Sequence, residues 1–298
     1  MLNSLICIAA ALVAPAVLGA CSGITIVKNG TVLLAANNDY SWSSNMQLHV
    51  TPASDGLFGR ICLSMETVPG WTPVGMKCMN DQGLALSHAV VPKSITPYDP
   101  DKPQFRHNFL EKIVAESATV KQAISMIRAY SLPAEHNAHI HVILADSSGD
   151  SAVIEWVDGE VKVLRRSGPT QIMTNSLLSK PDAKEGPNSR LSRGSRMLAE
   201  LKEPSVAAAV SVLKEISIRA RYKEQDVGTI DSAVFDITGR KVHIFYKRDY
   251  DHGLVLDLDG ALAKGPRLEP LSKIFPNPVP FETGWRIETG PYTPKEAK

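Results

Sequence analysis

The sequence has nearly equal numbers of positive and negative charges, few cysteines and few aromatic residues. Its 298 residues include 32 lysines and arginines and 31 aspartates and glutamates, which gives a net charge of +1. A protein that binds nucleic acid or an anionic membrane through its surface needs a basic face. The composition therefore argues against both kinds of partner. Hydrophobic residues make up 44% of the chain, which is typical of a globular protein.

A long apolar run occurs only at the start of the chain. Residues 6–18 are uncharged and rich in Ala, Leu and Val, and the small residues Gly19 and Ala20 follow. This run is too short to span a bilayer comfortably, but it has the length of a signal-peptide core. We expect residues 1–20 to be an export signal that is removed, and residues 21–298 to form a single periplasmic or secreted domain.

The same segment supports a second interpretation. Leu18-Gly19-Ala20-Cys21 also looks like a bacterial lipoprotein box, in which lipid occupies both the thiol and the amine of the cysteine. Under this interpretation the protein is a lipid-anchored protein without catalytic activity. A membrane is a partner of this chain only in that case.

The few cysteines restrict the pairings. Cys7 lies within the expected signal, so that Cys21, Cys62 and Cys78 remain. Export favours disulfide formation, and two of the three can pair. A hairpin turn centred on Gly70 would place Cys62 opposite Cys78, which predicts a disulfide between them. Two buried, reduced cysteines are the alternative.

Segments with strand-like and helix-like patterns alternate along the chain. Strands, then helices, then further strands indicate an α+β protein built around antiparallel sheet. The predicted strands are 24–28, 31–36, 60–66, 73–79, 84–91, 139–145, 152–156, 161–165, 171–174, 232–236, 241–246 and 253–257, and the predicted helices are 108–130, 190–201 and 205–218.

A turn near the start sets the position of Cys21. Asn29-Gly30 is the strongest short hairpin signal, and a two-residue loop places Cys21 opposite Asn38. In a chain that begins at Cys21, the α-amine would lie near Asp39. A free N-terminal cysteine combines a thiol nucleophile with an amine base whose pKa is about 8. The Asp39 carboxylate would orient that amine and stabilise its charged form.

Four segments in this order carry a resemblance to a known family. They are Cys21-Ser22 with Asn37-Asn38-Asp39-Tyr40, Met79-Asn80-Asp81-Gln82-Gly83-Leu84, Met173-Thr174-Asn175-Ser176, and Ser189-Arg190-Leu191-Ser192-Arg193. Together they resemble N-terminal-nucleophile amidases of the choloylglycine hydrolase and penicillin V acylase type. The isopenicillin N acyltransferase and carcinine hydrolase branch opens similarly.

The resemblance implies a fold, a reaction and a set of site residues. The fold would be a four-layer αββα sandwich of two antiparallel sheets flanked by helices. Cys21 would be the nucleophile, Asp39 would hold the α-amine, and Asn175 would donate a hydrogen bond to the tetrahedral oxyanion. Arg190 would sit near the thiolate and the Asp39 carboxylate. The substrate would be a small N-acyl amide, and no metal or organic cofactor would be needed.

The sequence also departs from the family pattern. Ala36 stands where the bile-salt hydrolase branch has an arginine, which argues against bile-salt-like recognition. The second oxyanion donor of that branch is an asparagine, which is absent from residues 88–90. A backbone N–H or His88 is expected to replace it. Trp71, at a predicted hairpin tip, would line an acyl pocket or merely pack against the surface.

Each candidate has a simpler structural explanation. Asp39 could be a turn residue, Asn175 could cap the chain after a strand, and Arg190 could belong to a solvated helix face. His139 and His141 share one face of a predicted strand, but no carboxylate or thiol has matching spacing, so we expect no metal site.

The order of the four segments favours an exported hydrolase of linear amide bonds that acts through a cysteine thioester. An amine acyltransferase and an N-terminal-cysteine dipeptidase are alternatives on the same scaffold. The sequence pattern is compatible with an oligomer.

Overall fold

Strands in two antiparallel sheets make up most of the protein in the computed structural model, which describes residues 21–65, 74–91, 98–105, 108–132, 139–180, 186–222 and 224–281. The strands are β1 (Ser22–Lys28), β2 (Thr31–Ser41), β3 (Met46–Thr51), β4 (Arg60–Met65), β5 (Val74–Asn80), β6 (Ala85–Val90), β7 (Ile140–Ala145), β8 (Ser151–Val157), β9 (Glu160–Arg165), β10 (Thr170–Met173), β11 (Arg219–Tyr222), β12 (Gln225–Asp236), β13 (Lys241–Tyr246), β14 (Asp249–Asp257) and β15 (Arg267–Pro270). The helices are α1 (Phe109–Glu116), α2 (Val120–Ala129), α3 (Arg190–Ala199), α4 (Val206–Glu215), α5 (Leu258–Ala263) and α6 (Leu271–Ile274).

The two sheets stack face to face between two layers of helix. Sheet A has the strand order β10-β1-β2-β12-β13-β14, with β11 paired to β12, and sheet B has the order β15-β3-β4-β5-β6-β7-β8-β9. One apolar cluster fills the space between the sheets, a second joins sheet A to α3 and α4, and a third joins sheet B to α1 and α2. The predicted four-layer αββα sandwich is therefore confirmed.

The hairpin at the start of the chain has the predicted register. Lys28 pairs with Thr31 and Ser22 pairs with Asn37, so the next residue back, Cys21, comes opposite Asn38. Asn29 and Gly30 both have positive φ, 51° and 77°, as a tight two-residue turn between twisted strands requires. Strand β2 continues beyond the predicted end at residue 36, because β12 pairs with it as far as Ser41.

The long helix predicted over residues 108–130 is wrong. Two helices occupy this segment, and the chain between them is extended at Ser117 and Thr119. The Thr119 side chain accepts a hydrogen bond from the Gln122 N–H, and the Asp146 carboxylate accepts one from the Val120 N–H. These acceptors satisfy N–H groups of the first turn of the second helix, which have no partner within the helix, and so allow it to begin independently. The apolar periodicity continued through the break and concealed it.

The predicted pairing of Cys62 with Cys78 is confirmed. The two residues are directly opposite in the β4–β5 ladder, their Cα atoms are 4.1 Å apart, and a disulfide joins them. The register shifts by one residue between Leu63 and Ser64, beyond the cysteines. The predicted centre of the turn, Gly70, and Trp71 at its tip lie outside the described residues.

Strands β3, β11 and β15 were not predicted, and neither were helices α5 and α6. Strand β15 is at the edge of sheet B and β11 pairs with β12 beside the main path of sheet A, whereas β3 lies inside sheet B between β15 and β4. Residues 1–20, including the expected export signal, lie outside the described residues. In the part of the chain that the structure describes, no helix is both long enough and apolar enough to cross a membrane.

Candidate active site

The thiol of Cys21 is buried at the start of β1, on the side of sheet A that faces sheet B. Its side chain belongs to the apolar cluster between the sheets and is 3% exposed. The thiol donates a hydrogen bond to Asn38 Oδ1 at 3.5 Å. It is the free cysteine of the described residues. The predicted proximity of Cys21 and Asn38 therefore extends to a side-chain contact.

Asp39 is fully buried and is held by two donors. Arg190 Nη1 lies 2.8 Å from Asp39 Oδ2, and the Thr229 hydroxyl donates to Asp39 Oδ1 at 2.5 Å. Arg190 is the first residue of α3, so the helix layer supplies a cation to a carboxylate on sheet A. The interpretation of Asp39 as a turn residue is excluded, because it lies within β2.

Asn175 joins this group through Arg190. Arg190 Nη2 donates to Asn175 Oδ1, and Asn175 Nδ2 donates to the Val90 carbonyl oxygen at 2.6 Å. Asn175 follows β10, and Val90 ends β6 in the other sheet. Three predicted site residues, Asp39, Asn175 and Arg190, thus form one connected hydrogen-bonded chain beside the strand that begins after Cys21.

Burial shifts the pKa of the Cys21 thiol and of the Asp39 carboxyl group. Burial and the Asp39 carboxylate raise the pKa of the Cys21 thiol to about 11, although the Asp39 backbone N–H, Lys77 and Arg190 oppose that shift. Burial also raises the pKa of Asp39 to about 6, against the lowering effects of Arg190, Thr229 and Lys77. A thiol in this environment needs a base before it can act as a nucleophile.

A buried ion pair lies behind the thiol, and sequence reasoning missed it. Lys77 Nζ is 2.6 Å from Asp231 Oδ1, and the two side chains are 1% and 0% exposed. Asp231 Oδ2 accepts a hydrogen bond from Asn38 Nδ2 at 3.0 Å. Because a carboxylate only accepts, this contact fixes the orientation of the Asn38 amide and turns its oxygen toward the Cys21 thiol.

An irregularity in β12 makes this arrangement possible. The β2–β12 register shifts between Thr229 and Asp231, so that Thr229 is opposite Asp39 and Asp231 is opposite Asn38. The extra residue, Ile230, packs in the cluster between the sheets. Bulges of this kind redirect side chains and are common next to active sites. No local sequence signal marks this bulge, since it depends on a pairing between segments about 190 residues apart.

His88 lies on β6 and is buried. Its Nδ1 is 2.9 Å from the Met76 carbonyl oxygen, so Nδ1 carries the proton and donates. Burial lowers the pKa of His88 to about 4, which keeps the ring neutral at neutral pH. In that state Nε2 is an acceptor, an arrangement that argues against His88 as an oxyanion donor. Its role in substrate binding stays a prediction.

Of the two histidines His139 and His141, His141 lies on β7 and His139 comes just before that strand. His141 hydrogen-bonds to Glu155 and to the Thr174 carbonyl oxygen, so both of its ring nitrogens are occupied. Within the described segments, no group of three or more His, Cys, Asp or Glu side chains could hold a metal ion.

Comparison with known proteins gives related sequences and folds. A family model described as acyl-coenzyme A:6-aminopenicillanic acid acyl-transferase matches residues 26–250. A segment of 39 residues, 13% of this chain, is 54% identical to penicillin V acylase from Pectobacterium atrosepticum and spans 10% of that relative's length.

Two solved structures share the fold over most of the chain. A mutant of conjugated bile acid hydrolase from Clostridium perfringens is 14% identical with a TM-score of 0.64, and the match covers 84% of this chain and 96% of that one. Penicillin V acylase from Agrobacterium tumefaciens is 20% identical with a TM-score of 0.62, and the match covers 80% of this chain and 86% of that one. Since the family model covers well over half of its residues, the chain belongs to the acyl-coenzyme A:6-aminopenicillanic acid acyl-transferase family.

Proposed function

We propose that the chain, after removal of residues 1–20, is a periplasmic or secreted amidase that hydrolyses linear N-acyl amides through a thioester on Cys21. The observation that carries this proposal is the position of Cys21. Its thiol contacts Asn38, and the next residue of β2, Asp39, is the carboxylate held by Arg190. The fold shared with proteins named penicillin V acylase and conjugated bile acid hydrolase supports it.

The proposed reaction begins with proton transfer from the Cys21 thiol to the free α-amine. The thiolate attacks the amide carbonyl carbon, and the carbonyl oxygen becomes an oxyanion. The C–N bond then breaks, and the α-ammonium gives its proton to the departing amine. Water, deprotonated by the α-amine, attacks the thioester, which releases the carboxylic acid and regenerates the thiol. The raised pKa of the buried thiol is the reason that this base is needed.

The remaining residues would act on charge. Asp39 would hold and orient the ammonium that forms, and Arg190 keeps the carboxylate ionised and in place. Asn175 would give a side-chain N–H to the oxyanion. One preorganised donor of this kind is worth about 3–4 kcal/mol of barrier. Lys77 and Asp231 would act indirectly, through the orientation of the Asn38 amide.

Acyl transfer to an amine is the second candidate function. It follows from the description of the matching family, which names an acyl-transferase. Hydrolysis and transfer share the acyl-enzyme and differ only in whether water or an amine attacks it.

The test is covalent trapping on the mature protein. A slow N-acyl amide substrate should add one acyl group to Cys21, seen as a mass increase on the N-terminal peptide, with release of an equivalent of amine. Cys21→Ala should show neither. Hydrolysis by Cys21→Ala at the wild-type rate, or an acyl group on another residue, would refute the proposal. Adding a free amine and measuring the amide product separates transfer from hydrolysis.

A further inference from the structure

Two fully buried side chains of sheet B lie next to the turn that carries Asn175. His141 on β7 and Glu155 on β8 are directly opposite in register, and both are 0% exposed. His141 Nδ1 lies 3.2 Å from Glu155 Oε1. Neither residue belongs to the hydrogen-bonded chain of Asp39, Arg190 and Asn175.

Both members of this pair hold the backbone of the turn. His141 Nε2 lies 2.6 Å from the Thr174 carbonyl oxygen, immediately before Asn175. Glu155 Oε1 accepts from the Leu178 N–H at 2.6 Å, and Oε2 accepts from the Ser179 N–H at 3.0 Å. The pair therefore fixes the turn on both sides of Asn175. It also ties a turn that leaves sheet A to two strands of sheet B.

The hydrogen bonds define where the protons are. A carbonyl oxygen only accepts, so His141 Nε2 must carry a proton. Burial raises the pKa of Glu155, but hydrogen bonds from His141, Ser179 and Leu178 outweigh that effect and lower it. An ionised Glu155 also only accepts, so His141 Nδ1 must carry a proton as well. The ring is then an imidazolium in contact with a carboxylate.

A buried ion pair of this kind is not explained by stability. Removing both charges from water costs free energy that the attraction between them often does not recover. The position of the pair supplies a different reason for it, because each of its contacts with the turn is a hydrogen bond to or from an ionised group. Such bonds are shorter and stronger than neutral ones.

We propose that His141 and Glu155 are positioning residues, which hold residues 174–179 as a charged pair so that the Asn175 side chain stays aligned for the oxyanion. This inference rests on the proposed function for the role of Asn175. The charged state of the pair rests instead on the hydrogen bonds and on the lowered pKa of Glu155. A shift of about 1 Å in a catalytic group can cost roughly a hundredfold in rate, so a clamp on this turn has a kinetic effect.

Removing the charge of Glu155 while keeping the volume of its side chain should loosen the turn of residues 174–179. Glu155→Gln keeps the shape of the side chain, but the Gln amide presents N–H groups toward the N–H of Leu178 or Ser179. We expect kcat on a cleavable N-acyl amide to fall roughly ten- to a hundredfold, with KM changed less than about twofold. His252→Asn is the matched control, because His252 forms an exposed pair with Asp249. It should keep wild-type kinetics.

The charged state is measured separately and needs no activity. In the Cys21→Ala protein, ¹⁵N NMR of the imidazole rings at neutral pH should show two protonated nitrogens on His141 and one on His88. His141 in Glu155→Gln should lose one of its protons. A neutral His141 in the otherwise unchanged protein would overturn the ion pair, and this measurement does not depend on whether the variant folds.

The kinetic result has its own contrary outcome. If folded Glu155→Gln keeps kcat within twofold of wild type, the pair is structural and the positioning role is wrong. A mature wild-type protein that cleaves no amide overturns the proposed function and the positioning role together. The NMR result would then decide the ion pair alone, so the two failures are distinguishable.

Discussion

At the scale of single residues, Asp39 carries a buried negative charge that its surroundings only partly compensate. Arg190 and Thr229 hold its two oxygens, yet its pKa is raised to about 6. Asp39→Asn keeps the shape and removes the charge that would orient the α-amine. We expect kcat to fall about a hundredfold or more, with a smaller effect on KM. Steady-state kinetics on a cleavable N-acyl amide would measure this.

The control for this variant is an exposed pair of the same kind. Asp259 forms an ion pair with Arg240 on the surface, and its side chain is 59% exposed. Asp259→Asn should therefore keep wild-type turnover. If Asp39→Asn also kept near-wild-type turnover, the role assigned to Asp39 in holding the α-amine would be wrong.

His88 gives a prediction about pH and stability. Burial lowers its pKa from 6.5 to about 4 in the folded protein. Between these values the unfolded chain binds a proton that the folded chain does not. The free energy of unfolding is therefore unaffected by His88 above pH 6.5 and decreases as pH falls toward 4. At 1.36 kcal/mol per unit, the loss is at most about 3 kcal/mol. His88→Gln should remove it.

The measurement compares unfolding free energies of wild type and His88→Gln between pH 4 and 7. Only the difference between the two proteins is informative, because Asp39 acts in the opposite direction. Its folded pKa is raised to about 6, so it favours folding at the acid end of this range and loses that contribution as pH rises. A difference that does not vary with pH would contradict the buried, neutral state of His88.

At the scale of elements, Lys77 and Asp231 connect β5 of sheet B to β12 of sheet A. Both are buried, and each is the other's counter-ion at 2.6 Å. Lys77→Met leaves the Asp231 charge uncompensated inside the protein, which typically costs about 3–5 kcal/mol. Replacing both residues, Lys77→Met with Asp231→Leu, should recover most of that loss. Urea unfolding of the disulfide-intact Cys21→Ala protein would measure both.

Lys112→Met supplies the comparison for this prediction. Lys112 and Glu116 form a half-exposed pair one helical turn apart, and such pairs contribute less than about 0.5 kcal/mol. If Lys77→Met lowers the free energy of unfolding no more than Lys112→Met does, Lys77 is not needed to compensate the buried charge of Asp231.

Local signals explain what the sequence could predict about these elements. Asn29-Gly30 determined the β1–β2 register, and a symmetric turn predicted that Cys62 would meet Cys78. The contacts of Asn38 with Asp231 and of His141 with Thr174 join distant segments. They depend on the β12 bulge and on how the two sheets stack. Neither leaves a pattern in one sequence, so these contacts, and the part played by Asp231, were not predicted.

Site residues divide in the same way. Cys21 and Asp39 could be derived from hairpin geometry and the chemistry of an N-terminal cysteine. Asn175 and Arg190 came only from the family resemblance, because nothing local distinguishes Arg190 from a solvated helix position. The structure gives a physical reason to place both residues in the candidate site, since Arg190 contacts the side chains of Asp39 and Asn175.

At the scale of the whole molecule, the proposed chemistry depends on where the polypeptide is cut. While residues 1–20 remain attached, the nitrogen of Cys21 is an amide with no usable basicity, and the buried thiol has a pKa of about 11. We therefore expect the precursor to be inactive and cleavage after Ala20 to give activity. Cys21→Ser should lose nearly all turnover after the same cleavage, because an alcohol is far less acidic than a thiol.

The intact mass of the mature N-terminus decides between this enzyme and a lipid-anchored protein. An unmodified cysteine at position 21 keeps both the attacking sulfur and the basic nitrogen, whereas lipid on the sulfur and an acyl group on the nitrogen remove both. Protein purified from the exported fraction should therefore begin with free Cys21 and gain activity in proportion to the cleaved fraction. A diacylglyceryl and N-acyl mass on Cys21, together with partition into detergent, would overturn the nucleophile assignment. Full activity in an uncleaved precursor would overturn the role of the α-amine, because the nitrogen of Cys21 is an amide in that form.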